Sequence, residues 1–121
     1  MKKALALAIA ASLFFAGVVN AATYTASGSI SSNERFILPF STAGGDVTAT
    51  ASFAHQGRWY KIWVHDDYGH ECQGFVDDRW GRDNADSVTC TIFAAPVGDY
   101  AAEFWASSGR TDVTLTVQTA D

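Results

Sequence analysis

Three histidines, His55, His65 and His70, fall close together and beside Asp66, Asp67 and Glu71. Imidazole and carboxylate together are the ligand chemistry of zinc and copper. The spacing is poor for it: His65 and His70 are separated across a polar turn, and no H-E-x-x-H occurs. The group therefore reads as solvated polar loops at a strand end. A second set of donors, Asp77, Asp78, Asp83, Asn84 and Asp86, offers hard oxygen atoms within one loop, VDDRWGRDNAD. Calcium takes such ligands, but the spacing is not that of an EF-hand. Arg79 and Arg82 offset part of the charge, so the loop reads as a salt-bridged surface segment, with calcium left open. For catalysis there is no G-x-S-x-G and no cysteine–histidine pairing, and Asp66 and Asp67, being adjacent, would face opposite ways on a strand. No catalytic group, metal or cofactor is assigned, and the chain is not expected to be an enzyme.

The aromatic residues carry a better pattern. In Arg58 to His65, RWYKIWVH, Tyr60, Ile62 and Val64 share one face, which puts Trp59, Lys61, Trp63 and His65 on the other. Trp105 likewise lies opposite Phe104. Flat rings on the outside of a sheet suit stacking on sugar rings or on a protein surface. The alternative is that the rings pack under a loop, since tryptophan is usually well buried. Trp59, Lys61, Trp63, His65 and Trp105 are the candidate ligand- or partner-binding residues.

The elements that would position them follow from period-two alternation. Thr23 to Ile30 reads as a polar edge strand. Arg35 to Phe40 reads as a strand that Pro39 confines to an edge, because proline cannot donate to a ladder. Val47, Ala49, Ala51 and Phe53 alternate with polar residues, as do Val88, Cys90 and Ile92, then Tyr100, Ala102 and Phe104, and finally Val113, Leu115 and Val117. The stretch Ser87 to Ala106 reads as a hairpin turned by Pro96 and Gly98. Cys72 to Val76 is a short apolar piece. Thus the chain is expected to be all-β: an antiparallel, jelly-roll-like β-sandwich of about seven to eight strands with one disulfide.

Residues 1–21 have the form of an export signal. Lys2 and Lys3 precede an apolar run, Ala4 to Val19, and Val19-Asn20-Ala21 fits cleavage after Ala21. The run is short of the roughly 20 residues that a spanning helix needs. Residues 22–121 then form a single domain, with 6 basic residues left of the 8 once Lys2 and Lys3 are removed, against 13 acidic ones, a net charge of −7. That charge repels phosphates and excludes a nucleic-acid partner. In an exported chain the two cysteines, Cys72 and Cys90, are expected to be bonded to each other.

Several pieces resemble the bacterial pre-peptidase C-terminal domain family, small β-sandwich modules at the ends of secreted peptidases. They are Lys61-Ile62-Trp63-Val64 followed by Cys72, then Val88-Thr89-Cys90-Thr91-Ile92, Ala95-Pro96-Val97-Gly98-Asp99-Tyr100 and Val113-Thr114-Leu115-Thr116-Val117. Lys61 stands where that family usually has Asp, which puts a calcium role there in doubt. The resemblance implies a sandwich fold, a disulfide and a binding or accessory role. The functional expectation is a small exported module, periplasmic or extracellular, that engages a polysaccharide, matrix or protein surface through its outward aromatics. It is not expected to enter the membrane stably once the signal is cleaved. The alternative is a periplasmic inhibitor or immunity protein that blocks a toxin or protease.

Overall fold

Val47, Ala49 and Ala51 are wholly buried while Thr48 and Thr50 between them are not. This alternation recurs along most of the chain and builds the molecule. The computed structural model describes residues 12–15, 21–54, 56–79 and 85–120. They form nine strands and no helix: β1 Ser12–Phe15, β2 Ala22–Ile30, β3 Phe36–Thr42, β4 Gly45–Phe53, β5 Trp59–His65, β6 Glu71–Asp77, β7 Ser87–Ala95, β8 Gly98–Ala106 and β9 Thr111–Thr119. Eight of them lie in residues 22–121, and all pairings are antiparallel. No helix among the described residues is long and apolar enough to cross a membrane.

The strands divide into two sheets, ordered β1-β2-β9-β4-β7 and β3-β8-β5-β6, which pack face to face. Only β1–β2 and β5–β6 are hairpins within one sheet; every other connection crosses between the layers. The core is the set of inward residues expected from the alternation, joined by Phe36, Leu38 and Phe40 of β3. Its densest part is aromatic: Phe53 stacks on Tyr60 at 3.9 Å between ring centres, and Phe104 lies 5.6 Å from Phe53. Pro39 does sit on an edge strand, β3.

Two local expectations are corrected. Ser87 to Ala106 is not a hairpin, because β7 and β8 belong to different sheets. Ala94 takes a left-handed φ of 53° and Pro96 has no N–H to offer, so ladder pairing stops and the chain arches over the core. The Tyr100 hydroxyl donates to the Pro96 carbonyl at 2.8 Å and holds the corner. Asp78, expected in a solvated loop, is fully buried. Its N–H donates to the Arg58 carbonyl at 3.0 Å, which tucks this part of the loop under the β4–β5 connection. Thr23 to Ile30 falls in β2, the outermost strand of its sheet within residues 22–121; β1, from residues 12–15, pairs only with Ala22–Thr25.

Cys72 on β6 and Cys90 on β7 are bonded. These strands lie at the same side of the two sheets, so the bridge staples layer to layer. Gly74 lets them come close: a Cβ there would fall 2.6 Å from the Thr89 carbonyl oxygen. With a sequence separation of 18 between the cysteines, the crosslink should stabilise the fold by about 3 kcal/mol through the entropy of the unfolded chain. The double variant Cys72→Ala, Cys90→Ala is expected to lose about that much in urea unfolding. An unchanged unfolding midpoint would contradict the staple's role.

Candidate functional site

The strict pleat of β5 puts Tyr60, Ile62 and Val64 in the core, each wholly buried, and sends Trp59, Lys61, Trp63 and His65 to the outer face. Register then decides their neighbours. Lys61 lies between Trp105 of β8 and Phe75 of β6; Trp63 lies between Glu103 and Gln73; His65 lies between Ala101 and Glu71. Ile37 of β3 extends the Glu103 row, and Pro39 extends the Ala101 row. The structure thus brings all five candidate residues onto one face of the four-stranded sheet. Each is half-buried, and no loop is needed to explain it: the rings lean on one another and on charged neighbours.

Glu103 organises this face. It is only 8% exposed although it points outward. One carboxylate oxygen accepts from Arg35 Nη1 at 2.9 Å, and the other lies 2.5 Å from His65 Nε2. Each partner in turn holds a tryptophan. The Arg35 guanidinium sits over the Trp105 ring, 4.2 Å from its centre, and the Lys61 ammonium is 5.5 Å from the same ring. The His65 imidazole stacks on Trp63 at 3.7 Å, while Trp63 Nε1 donates to Glu71 Oε1 at 2.6 Å. Trp59 and Phe75 meet at 5.8 Å. Phe75 and Ile37 are the openly exposed apolar groups of the face. Mixed aromatic and ionic contacts of this kind fix side-chain rotamers before any partner arrives.

Where the face meets the β5–β6 turn, a shallow cleft of about 200 Å³ is lined by His65, Asp66, Asp67, Asp99, Tyr100 and Ala101. Asp66 closes the turn, accepting the N–H groups of Tyr68 and His70 at 2.9 Å each and meeting His70 Nδ1 at 2.7 Å. Burial would raise its carboxyl, but the His70 side chain and the two amides outweigh that and bring it down to about 2. Burial, helped by the negative charge of Asp66, pushes the Tyr100 hydroxyl above its usual range.

The metal-type clusters come apart. Among the described residues no three His, Cys, Asp or Glu side chains are grouped to hold an ion. His65 engages Glu103 and His70 engages Asp66, while His55 lies outside the described residues. In the acidic loop Asp77 pairs with Arg79 at 2.7 Å, the salt bridge expected there, and this holds Asp77 at about 2. Arg82, Asp83 and Asn84 lie outside the described residues. Sequence reasoning missed Arg35, Glu103 and Phe75 as parts of the face. The available signal was Glu103 itself, a carboxylate set between Ala102 and Phe104 in the otherwise mainly apolar run Tyr100 to Ala106.

No protein-family model and no curated protein sequence matches the chain. Among solved structures it is similar to PliG of Aeromonas hydrophila, a periplasmic lysozyme inhibitor of g-type lysozyme. The TM-score is 0.50 at 12% identity, over 86% of this chain and 90% of that one. Looser superpositions are found with a family 29 carbohydrate binding module, TM-score 0.35 at 16% identity over 92% and 76% of the two chains. A family two carbohydrate esterase from Cellvibrio japonicus superposes with TM-score 0.36 at 12% identity, over 92% and 31%. The likeness to PliG is one of fold.

The Asp66 turn gives a pH signature. Its carboxyl is lower in the folded chain than its ordinary value of 3.8, so its contribution is complete above that value and is lost as pH falls through about 2. In wild type, stability should decline between these limits, and in Asp66→Asn this part of the decline should vanish. Parallel acid melts of the two proteins check this; identical acid limbs would contradict the turn's assigned role.

Proposed function

We propose that this chain is an exported, non-catalytic protein-binding domain. Its β3-β8-β5-β6 face closes on a cationic exported protein, and a cell-wall hydrolase of the lysozyme class is the first partner to test. The observation that carries this reading is the state of the tryptophans. A sugar-binding platform needs a ring face open to the C–H bonds of a pyranose. Here Trp105 has Arg35 and Lys61 over it, and Trp63 is stacked on His65. Half-buried aromatic rings set among fixed charges of both signs, with Phe75 and Ile37 open beside them, are the makings of a protein interface.

Other features support it. Residues 1–21 read as a cleaved leader, and a disulfide persists in oxidising compartments. A net charge of −7 on residues 22–121 speeds encounter with a basic partner. PliG shows the same kind of sandwich in the role of a periplasmic lysozyme inhibitor. The motif resemblance to pre-peptidase C-terminal modules points equally to an accessory role without catalysis.

The test uses titration calorimetry of the secreted protein against g-type lysozyme and other muralytic enzymes, with insoluble polysaccharides as the contrasting arm. A stoichiometric complex that weakens with salt is expected. Trp63→Ala should leave melting nearly unchanged and weaken binding by about 2 kcal/mol. Ile62→Ala, behind it in the core, should cost about 2–5 kcal/mol of stability. Retention on polysaccharide with no protein complex would overturn the reading.

A further inference from the structure

The free edges of the two sheets are not alike. On one side β7 is covered by its neighbour in the other layer: Gly74 of β6 faces the Thr89 carbonyl, and the disulfide closes the gap. In the second sheet, β3 carries Pro39 and β6 carries Glu71 and Asp77, residues that discourage strand addition. β2, Ala22–Ile30, has no proline and no charge. Its outer edge is taken by β1 over Ala22–Thr25, in the register Ser12↔Thr25 to Phe15↔Ala22. β1 lies within the leader, so cleavage after Ala21 removes the strand that covers this edge.

Which groups that edge presents can be worked out. The Ala120 N–H donates to the Asp46 carbonyl, so even-numbered residues of β9 aim at β4 and odd-numbered ones at β2. Odd residues of β9 pair with even residues of β2, from Ala22↔Thr119 to Ile30↔Thr111. The N–H and C=O groups of Thr23, Thr25, Ser27 and Ser29 therefore point away from β9, to the edge.

We propose that in the mature protein β2 pairs antiparallel with β2 of a second copy of this chain. The two four-stranded sheets β2-β9-β4-β7 then join into one about a two-fold axis at Ala26. That register matches Thr25 with Ser27 and Thr23 with Ser29, which uses every edge group. The side chains it places opposite one another are hydroxyls, like the Ser27–Thr114 pair at 2.8 Å within the sheet. No charge meets its like across the axis, because β2 carries none.

This rests on the leader being cleaved, and the experiment separates the two. The exported protein is purified, its intact mass is measured, and its molar mass is read by light scattering over a concentration series. A chain beginning at Ala22 with twice the monomer molar mass is expected. Ser27→Pro removes an edge N–H and no backbone bond to β9, giving up only the Ser27–Thr114 hydroxyl contact, and should halve the molar mass while the chain still folds. Should that variant fail to fold, the pair Thr25→Lys and Ser27→Lys sets like charges across the axis and should also give monomers. A monomer beginning at Ala22, or a dimer indifferent to these changes, overturns the pairing. An uncleaved monomer overturns the leader reading and the pairing with it.

Discussion

A carboxylate taken out of water needs partners, and Glu103 obtains two. Its place on β8 directs it outward, yet it is almost completely covered, so its charge must be balanced within the face. Arg35 and His65 do this from either side. Because Arg35 then lies over Trp105 and His65 lies against Trp63, a single buried anion fixes the pose of both aromatic anchors. Without it, Arg35 and His65 would lose the group that orients them, leaving Trp63 with its bond to Glu71 and Trp105 with Lys61 alone.

That arrangement depends on a scaffold with little freedom. Arg35 precedes β3, Glu103 is on β8 and His65 is on β5, three strands adjacent in one sheet but far apart in the chain. Nearly every connection crosses to the other layer, so no pair of neighbouring strands can form the face alone. The layer-to-layer staple at Cys72 and Cys90 and the close approach at Gly74 hold β6, with Phe75 and Glu71, at the far side of the face.

Much of this architecture is legible in the residues. Val47 to Phe53 and Val113 to Val117 alternate cleanly because one side of each is buried and the other is not. β6 was visible only as a fragment, since Gly74 stands where an inward side chain would have marked the pattern. The β7–β8 arch read as a hairpin because proline and glycine announce a turn without saying which sheet the chain enters next. Glu103 gave least of all. Its partners lie 68 and 38 positions away, and no local pattern encodes contacts at that separation. The grouping of Trp105 with Trp63 is likewise a product of strand order.

The opposite face of the sandwich is a chemical contrast. Its outer residues are mainly Ser and Thr, tied across strands in pairs such as Thr48–Thr91 and Thr50–Thr89 at 3.0 and 3.1 Å. On the proposed function, partner binding therefore belongs to one face and not to the other. Nuclear magnetic resonance of labelled protein with added g-type lysozyme tests that assignment most directly. The account predicts that the indole signals of Trp63 and Trp105 and the ring of Phe75 shift or broaden, while Thr48, Thr50 and Thr116 stay where they are. Perturbation confined to the threonine face, or none at all, would contradict it.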